Sequence, residues 1–328
     1  MSDAVSTSPA VELNARRILA GVDEAGLGPL LGPLVIGGVA LEGPSGKDPW
    51  QLLKKLVCRG ESKKGKIRVA DSKKVHQGAH KLAQVERTAL TFLGAHLESL
   101  PASLRELLAA LGVDIGRLSR CPWYGELDTP LPLACDRGET DLLAHRLRRE
   151  LRSTGILLRR LAVRVVDVEE FNAHVLATDN KSETHFAAYA DVLGELFASV
   201  DGAAAHVVAD RCGGRWHYGG VLSRRWPEAR IRVVSEREAR SEYLVGMGGG
   251  AIRLTFAEKA DDRSFPTALA SCLAKYVREV MMHRLNQWFA ARCPDLRPTA
   301  GYYTDGKRFL DDVRGVPDLP WERLVRSR

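Results

Sequence analysis

Four acidic positions in this 328-residue sequence follow or adjoin short apolar segments, and their residue types indicate metal chemistry. Asp23 and Glu24 come directly after "ILAGV", Asp210 ends "HVVAD", and Asp261 lies in "EKADDRSFP". Two-metal phosphodiester hydrolysis needs carboxylates from separate segments around cations about 3.5–4 Å apart. Acids at strand ends are also common as plain solvent-exposed surface, so spacing alone leaves both interpretations open.

Asp23 and Glu24 are adjacent in sequence, which restricts how both could reach one site. Neighbouring residues on a β-strand point to opposite faces of the sheet. If Asp23 and Glu24 share one site, the following turn must distort the chain, or one acid must act through a different ligand position.

A glycine-rich stretch, "GVDEAGLGPLLGP", offers a competing interpretation as a phosphate loop. Gly26, Gly28 and Gly32 give a G-x-G-x-x-x-G pattern that is related to dinucleotide-binding turns. Those turns depend on a following helix whose N-terminus holds the pyrophosphate. Here "PLVIGGVAL" follows and predicts a strand, and no G-K-[ST] closes the loop. The sequence therefore argues against a nucleotide-cofactor site.

The elements that must position these residues alternate between strand and helix patterns. Residues 17–41 predict a strand, a Gly/Pro turn and a second strand. Residues 98–160 predict a helical insertion or subdomain that ends in a strongly basic amphipathic helix. Residues 266–292 predict the longest helix, with a proline at its start, where the missing N–H costs nothing. This order predicts one mixed α/β sheet flanked by helices.

The pattern predicts that the chain divides into three parts. Residues 1–16 are predicted to be a disordered tail, and residues 17–315 a single domain interrupted by the insertion. Residues 316–328 are predicted to be a C-terminal tail.

The composition and charge favour one kind of partner and exclude several classes of protein. The net charge of +7 and the pI near 9.1 suit a polyanionic partner. Six scattered cysteines without a C-x-x-C pair argue against a zinc ribbon and a disulfide scaffold. No apolar run is long enough for a membrane span, and the N-terminus lacks the pattern of a secretory signal. We therefore expect a cytoplasmic protein with no membrane partner.

Several segments, in the same order, resemble the ribonuclease H type II family. The opening "GVDEAGLGPLLGP" is similar to its signature, and "ADSKK", "HVVAD", "KADDRSFPTALASCLAKYVRE" and "AGYYTD" resemble later motifs. The match covers residues 17–93 and 163–313 and is closest in style to the archaeal and eukaryotic branch. It implies a ribonuclease H-like mixed central sheet flanked by helices, with the helical insertion as an addition.

The resemblance also implies an activity and a site. The activity would be Mg²⁺- or Mn²⁺-dependent hydrolysis of the RNA strand of an RNA-DNA hybrid, or cleavage at ribonucleotides embedded in duplex DNA. The residues it assigns are the metal-binding and catalytic carboxylates Asp23, Glu24, Asp210 and Asp261; the turn Gly26, Leu27 and Gly28, whose glycine amides would meet the ribose 2′-hydroxyl; Lys73 or Lys74 at the phosphates; and Tyr302 at the sugar.

Three departures from the family keep alternatives open. Leu27 stands where these enzymes usually have arginine, which removes a phosphate contact. The insertion at 98–160 has no counterpart in compact members. Extra sequence before Asp261 makes the fourth acid ambiguous, and the substitutes are Asp262, Glu238, Glu242 and Glu279. A catalytically silent nucleic-acid-binding homologue and a nuclease for DNA or junctions are the rival functions, and the sequence predicts no oligomeric state.

Overall fold

A computed structural model describes residues 16–61, 65–78, 80–247 and 249–327 of the chain. The tail predicted over residues 1–16 lies outside this part except for Arg16, which begins the first strand.

A mixed seven-stranded sheet forms the centre, in the order β5-β2-β1-β6-β9-β8-β7, and β3 and β4 form a separate parallel pair. The strands are β1 Arg16–Ala25, β2 Leu34–Pro44, β3 Val57–Cys58, β4 Ile67–Arg68, β5 Leu157–Val166, β6 Ala205–Asp210, β7 Arg230–Arg237, β8 Arg240–Met247 and β9 Gly250–Ala257. β1, β6 and β9 run parallel, whereas β2, β5, β7 and β8 join through antiparallel pairings. The carboxyl ends of β1 and β6 therefore lie at the same edge of the sheet.

Helices pack against both faces of this sheet, and the outer strands β8 and β7 leave part of one face uncovered. The helices are α1 Pro49–Leu52, α2 Ser72–Val75, α3 Lys81–Leu97, α4 Leu104–Ala110, α5 Ile115–Leu118, α6 Arg137–Thr154, α7 Val168–Thr178, α8 Lys181–Val200, α9 Gly219–Arg225, α10 Phe265–Ala290, α11 Tyr303–Asp312 and α12 Trp321–Leu324, with short 3₁₀ helices at Pro122–Tyr124 and Ala260–Asp262. This arrangement confirms the predicted fold class. None of the helices in the described ranges is long and apolar enough to cross a membrane.

The long helix α10 lies directly against β1 and β2 because glycines leave room for it. A Cβ at Gly21 would lie 2.1 Å from the backbone nitrogen of Thr267, and one at Gly37 would lie 2.4 Å from the carbonyl oxygen of Ala270. Such close approach of two backbones is a common reason for glycine inside a strand. α10 and α3 pack into one hydrophobic core, and α8 packs into a second core on the opposite face.

The predicted insertion contains α4, α5 and α6, but β5 begins at Leu157, inside the predicted range 98–160. Arg159 and Arg160 obscure the strand pattern in the sequence. The structure accommodates both arginines through ion pairs, Arg159 with Glu42 and Arg160 with Glu195.

The segment predicted as a C-terminal tail packs against the body of the protein. Leu324 is fully buried, and Val325 forms an antiparallel bridge with Leu31. Arg326, next in the chain, is also buried and reaches the turn that follows β1.

Candidate active site

Three of the predicted acids converge where β1 and β6 end. Asp23 and Glu24 lie near the end of β1, and Asp210 is the last residue of β6. One carboxylate oxygen from each can be chosen so that all three lie within 4.8 Å of one another. The parallel pairing of the two strands brings these acids together across almost 190 residues of sequence.

β1 achieves this without distortion. It remains paired with β2 through Ala25, so the two adjacent acids keep opposite orientations. Glu24 accepts a hydrogen bond from the Tyr189 hydroxyl of α8 on one side, while Asp23 lies on the side of α10, beside Ser271. Because the strand ends here, side chains from both faces open onto the same cavity. Of the two alternatives that the sequence left open, the distorted turn is not required.

The cavity has a volume of about 230 Å³. Its walls come from the end of β1 and the following turn, from the segment before and at the start of α2, from the end of β6, from the 3₁₀ helix before α10, from α10 itself, and from the residue before α11. The lining residues are Asp23, Glu24, Ala25, Gly26, Leu27, Gly28, Pro29, Asp71, Ser72, Lys73, Asp210, Asp261, Ser271, Lys275 and Tyr302.

Asp261 lines this cavity, and its neighbour Asp262 does not. Asp261 lies in the 3₁₀ helix after β9, and the backbone N–H of Ala260 donates a hydrogen bond of 2.9 Å to Asp210 Oδ1. Asp262 instead forms an ion pair with Lys74. Within the described residues, the tight three-oxygen group does not include Asp261, which stands at the cavity wall as a fourth carboxylate.

The other substitutes for the fourth acid lie elsewhere. Glu242 pairs with Arg240, and Glu279 accepts a hydrogen bond of 2.6 Å from Lys275, the i,i+4 pair that its spacing predicts. Glu238 offers its backbone carbonyl to Arg211. None of these three glutamates is among the residues that line the cavity.

Burial and mutual repulsion set the charge of the acidic cluster. Burial raises the pKa of Asp23 well above its usual value, and the three neighbouring carboxylates add to the rise, Glu24 most of all. Burial also raises the pKa of Asp210 to about 6, although the N–H of Ala260 partly opposes it. For Asp261, burial and then repulsion from Asp71 raise the pKa to about 7. Ionising the whole cluster is therefore costly unless a cation is present.

Glu24 behaves differently because the Tyr189 hydroxyl donates to it and the His185 imidazole lies beside it. Burial alone would raise its pKa, but His185 and Tyr189 outweigh burial and lower it. The His185 Nε2 atom lies 3.6 Å from Glu24 Oε2, and its side chain is only 2% exposed. Glu24 is thus held ionised and oriented from α8.

The turn after β1 depends on glycine at its first position. Gly26 has a φ of +88°, and a Cβ there would lie 2.3 Å from Arg278 Nε. Gly28 is exposed, with open space around it. Leu27 between them is half-buried and packs against the second core. Arg326 Nη1 donates to the carbonyl oxygen of Gly26, which fixes the turn from behind.

The structure separates the two lysines that the sequence offered as alternatives. Lys73 is exposed and lines the cavity, whereas Lys74 is occupied by Asp262. Tyr302 also lines the cavity and is half-exposed, and the guanidinium of Arg278 lies 5.5 Å from the centre of its ring.

The sequence assigned no role to several residues at or directly behind the cavity, among them Asp71, His185, Tyr189, Lys275 and Arg326. Asp71 and Lys275 lie within "ADSKK" and the segment 259–279, so those motifs already contained a signal. The other three reach the site from α8 and the C-terminal segment through tertiary packing, which leaves no local pattern in one sequence.

The donor set fits a hard divalent cation. It consists of carboxylate oxygens, and carboxylate oxygens are the protein ligands that Mg²⁺ and Mn²⁺ favour. Burial, together with repulsion between neighbouring carboxylates, raises the pKa of Asp23, Asp210 and Asp261, and a divalent cation would offset the cost of ionising them.

The sequence matches no protein-family model and no curated protein. Solved structures, however, match over nearly the whole chain. The fold is similar to those of ribonucleases HII and HIII. A ribonuclease HII from Archaeoglobus fulgidus, solved in a complex with PCNA, is 18% identical with a TM-score of 0.45, and the match covers 95% of this chain and 94% of that chain.

Two further structures show the same degree of likeness. Bst-RNase HIII in complex with Mn²⁺ is 15% identical with a TM-score of 0.44, over 99% of this chain and 72% of that chain. Ribonuclease H2 from Pyrococcus horikoshii OT3 is 15% identical with a TM-score of 0.39, over 94% and 92%. The likeness concerns the fold, so the roles of individual residues have to follow from the site itself.

Proposed function

We propose that the protein is a divalent-metal-dependent endonuclease that hydrolyses the RNA strand of RNA-DNA hybrids or cuts at ribonucleotides embedded in duplex DNA. The observation that carries this proposal is the meeting of Asp23, Glu24 and Asp210, within 4.8 Å, in a cavity that Asp261 also lines. Motifs that are far apart in sequence and resemble one nuclease family thus contribute to a single site.

The acidic cluster would hold the catalytic metal. Asp23, Glu24 and Asp210 would hold Mg²⁺ or Mn²⁺, with Asp261 at the edge of the same cavity. A bound cation of this kind supplies an activated water and neutralises charge that develops on the leaving oxygen. Tyr189 and His185 keep Glu24 ionised for that task.

The rest of the cavity would hold the nucleic acid. Lys73 presents an ammonium group at the cavity wall, where it would attract a phosphate. The exposed amide of Gly28 and the amide of Gly26 would meet the ribose 2′-hydroxyl, which distinguishes RNA from DNA. Tyr302, half-exposed at the same wall, would pack against the sugar.

A nuclease for all-DNA substrates is the second candidate, and Leu27 is the observation that favours it. Leucine offers no hydrogen bond to a phosphate, so the turn lacks one charged contact that would fix a ribonucleotide. The ratio of cleavage rates on ribonucleotide-containing and all-DNA duplexes separates the two candidates.

The proposed metal site is tested by comparing two substitutions, one at an acid inside the cavity and one at an acid outside it. We expect Asp23→Asn to reduce hybrid cleavage in Mg²⁺ by at least a hundredfold, because it removes a ligand from the cluster. Asp262→Asn is the control, since Asp262 pairs with Lys74 outside the cavity, and it should retain activity within a few-fold of the wild type. Equal losses in both variants would contradict the assignment, and a wild type that cleaves no duplex would favour the silent homologue.

A further inference from the structure

The strands β6, β9, β8 and β7 carry a row of side chains on one face of the sheet. His206, Arg253, Leu244 and Arg232 are successive register partners across these four strands. Register partners on adjacent strands point to the same face. An ion-pair contact of 3.6 Å between Arg253 and Glu242, which lies two residues from Leu244 on β8, agrees with this placement.

The outer part of this face, around Arg232 and Arg253, is open to solvent, although Thr255 on the same face of β9 is buried; the opposite face is packed. On the opposite face, Val207, Leu254 and Tyr243 are fully buried in the second core. In the row itself, the Arg253 side chain is 48% exposed, and Arg232 is also exposed.

Arg17 shares this face because it lies two residues before Leu19, the register partner of His206 on β1, and Arg240 shares it because it lies four residues before Leu244 on β8. We refer to the surface formed by Arg17, His206, Arg232, Arg240 and Arg253 as the open sheet face.

The charge of the open sheet face is mainly positive. Arg240 and Arg253 share one acid, Glu242, and in the described part of the chain neither Arg17 nor Arg232 takes part in an ion pair. Four arginines thus face a single carboxylate. Burial lowers the pKa of His206 to about 4, and the positive charges of Arg17, Arg253 and Arg240 add to the shift.

The open sheet face lies on the same side of the sheet as Asp210, and the start of α10 stands between them. Thr267 of α10 donates a hydrogen bond to the carbonyl oxygen of Val208, and Thr255, the register partner of Val208, is buried. His206 and Asp210 lie four residues apart on β6, so both point to the same side of the sheet. At roughly 3.3 Å per residue, that separation is about 13 Å. A nucleic-acid strand rises about 3.4 Å per nucleotide, so the distance corresponds to about four nucleotides beyond the cavity.

We propose that the open sheet face binds the phosphate backbone of a duplex at a distance from the bond that is cut. Its arginines are spaced over four strands, they lack enough carboxylate partners, and they lie on the same side of the sheet as Asp210. The identity of the partner as a nucleic-acid duplex rests on the proposed nuclease function. Backbone binding of this kind contributes affinity without sequence specificity.

The salt dependence of duplex binding tests this proposal. The association constant K of a protein for nucleic acid falls as the salt concentration rises. Each lost phosphate contact makes the plot of log K against log salt less steep by about one. We therefore expect the double variant Arg232→Gln/Arg253→Gln to reduce the steepness of this plot by about two. The effect should be the same for an RNA-DNA hybrid and for an all-DNA duplex, each of about 20 base pairs, and fluorescence anisotropy in EDTA measures it. The matched control is Arg105→Gln/Arg314→Gln, which removes two exposed arginines that pair with Asp128 and Asp311 and should keep the wild-type slope.

An unchanged slope in the double variant, or an equal fall in the control, would overturn the proposal. Loss of binding to a polyglutamate peptide with unchanged duplex binding would also overturn it, because the face would then belong to an acidic protein partner. Thermal melts of both double variants confirm that each is folded before slopes are compared.

The binding experiment distinguishes failure of this proposal from failure of the nuclease proposal. Binding in EDTA requires no cleavage, so a reduced slope in a protein that cuts nothing would support the open sheet face and contradict the nuclease. If the wild type cuts hybrids and the double variant keeps the wild-type slope, the nuclease proposal is supported and binding at the open sheet face is contradicted.

Discussion

At the scale of single residues, Asp261 and Asp262 show how one step along the chain changes chemistry. Asp261 is buried among carboxylates, and its pKa is raised to about 7 by burial and then by Asp71. Asp262 is paired with Lys74, whose hydrogen bond lowers its pKa. The sequence "ADD" presents the two as equivalent, and only the path of the 3₁₀ helix distinguishes them.

Asp261→Asn is expected to stabilise the metal-free protein at high pH. A carboxyl whose pKa is higher in the folded state than in the unfolded state contributes stability at low pH, and this contribution is lost as pH rises through the folded pKa. Removing the charge should therefore raise the free energy of unfolding by about 0.5–2 kcal/mol at pH 8 and leave it nearly unchanged near pH 4. Urea denaturation in EDTA at both pH values measures the difference.

The control for this prediction is Asp262→Asn. Its pKa is lowered by Lys74, so the substitution should leave stability at pH 8 unchanged or slightly lower. A metal-free Asp261→Asn protein that is less stable than the wild type at pH 8 would contradict the account of the cluster.

Leu27→Arg tests the departure from the family motif. An arginine at this position would add a hydrogen bond from a charged group to a phosphate, which is worth about 1.5–3 kcal/mol. At about 1.4 kcal/mol per decade, kcat/KM on a ribonucleotide-containing duplex should rise about tenfold or more. Leu27→Met is the control because it preserves the packing of a half-buried side chain against the second core. Steady-state kinetics that show no gain, or a gain on all-DNA duplexes, would count against the phosphate contact.

At the scale of elements, the hairpin of β7 and β8 extends the sheet and holds α9 in place. Glu236 of β7 accepts hydrogen bonds of 3.0 Å from the backbone N–H groups of Tyr218 and Gly219, at the start of α9. His217 Nδ1 lies 2.8 Å from the same carboxylate, and the Tyr243 hydroxyl also donates to it. Burial opposes ionisation, but these donors prevail and lower the pKa of Glu236 to about 2.

Glu236→Gln should therefore destabilise the protein in a pH-dependent way. Hydrogen bonds to a charged group are worth about 1.5–3 kcal/mol, and we expect a loss of that order in the free energy of unfolding at pH 7. Because the folded pKa lies below the unfolded value, the stabilisation is complete above about pH 4.5 and declines as pH falls towards 2. Urea denaturation at pH 7, 4 and 3 follows the decline. Glu228→Gln, at an exposed position, should show no effect at any of these pH values, and a constant deficit for Glu236→Gln would contradict the role of its charge.

The main elements of the site could be predicted from sequence, and their supports could not. The apolar segment before Asp23 and the one that ends at Asp210 have the β-branched pattern of buried strands, and the helix predicted over 266–292 is observed as Phe265–Ala290. His185 and Tyr189 read as ordinary residues of an amphipathic helix. Their contact with Glu24 depends on how α8 packs against β1, which no local pattern encodes.

At the scale of the whole molecule, the last described residues return to the first turn of the chain. Arg326 is 4% exposed, and its guanidinium donates to the carbonyl oxygen of Gly32 at 2.9 and 2.6 Å and to that of Gly26. Burial and then the nearby Arg278 lower its pKa to about 9. The segment predicted as a tail is therefore part of the structure that supports the turn beside the acids.

Arg326→Met should loosen that turn. The substitution leaves the carbonyl groups of Gly26 and Gly32 without their donor, and an unsatisfied buried group costs about 1–3 kcal/mol. We expect a loss of that size in stability, together with a rise in KM for ribonucleotide-containing duplexes that exceeds the fall in kcat. Arg314→Met, at an exposed arginine, is the control for denaturation and kinetics. A fall in kcat with unchanged KM would contradict a role in substrate positioning.

The most direct test of the account is the rate at which the wild-type protein cuts two duplexes that differ in one 2′-hydroxyl. One duplex is all-DNA, the other carries a single ribonucleotide, and both are incubated with Mg²⁺ and, separately, with Mn²⁺. We expect cleavage at the ribonucleotide and none above background in the all-DNA duplex, with no cleavage in EDTA. Equal rates on the two duplexes would show that the turn of Gly26, Leu27 and Gly28 does not distinguish ribose, and would contradict the central claim.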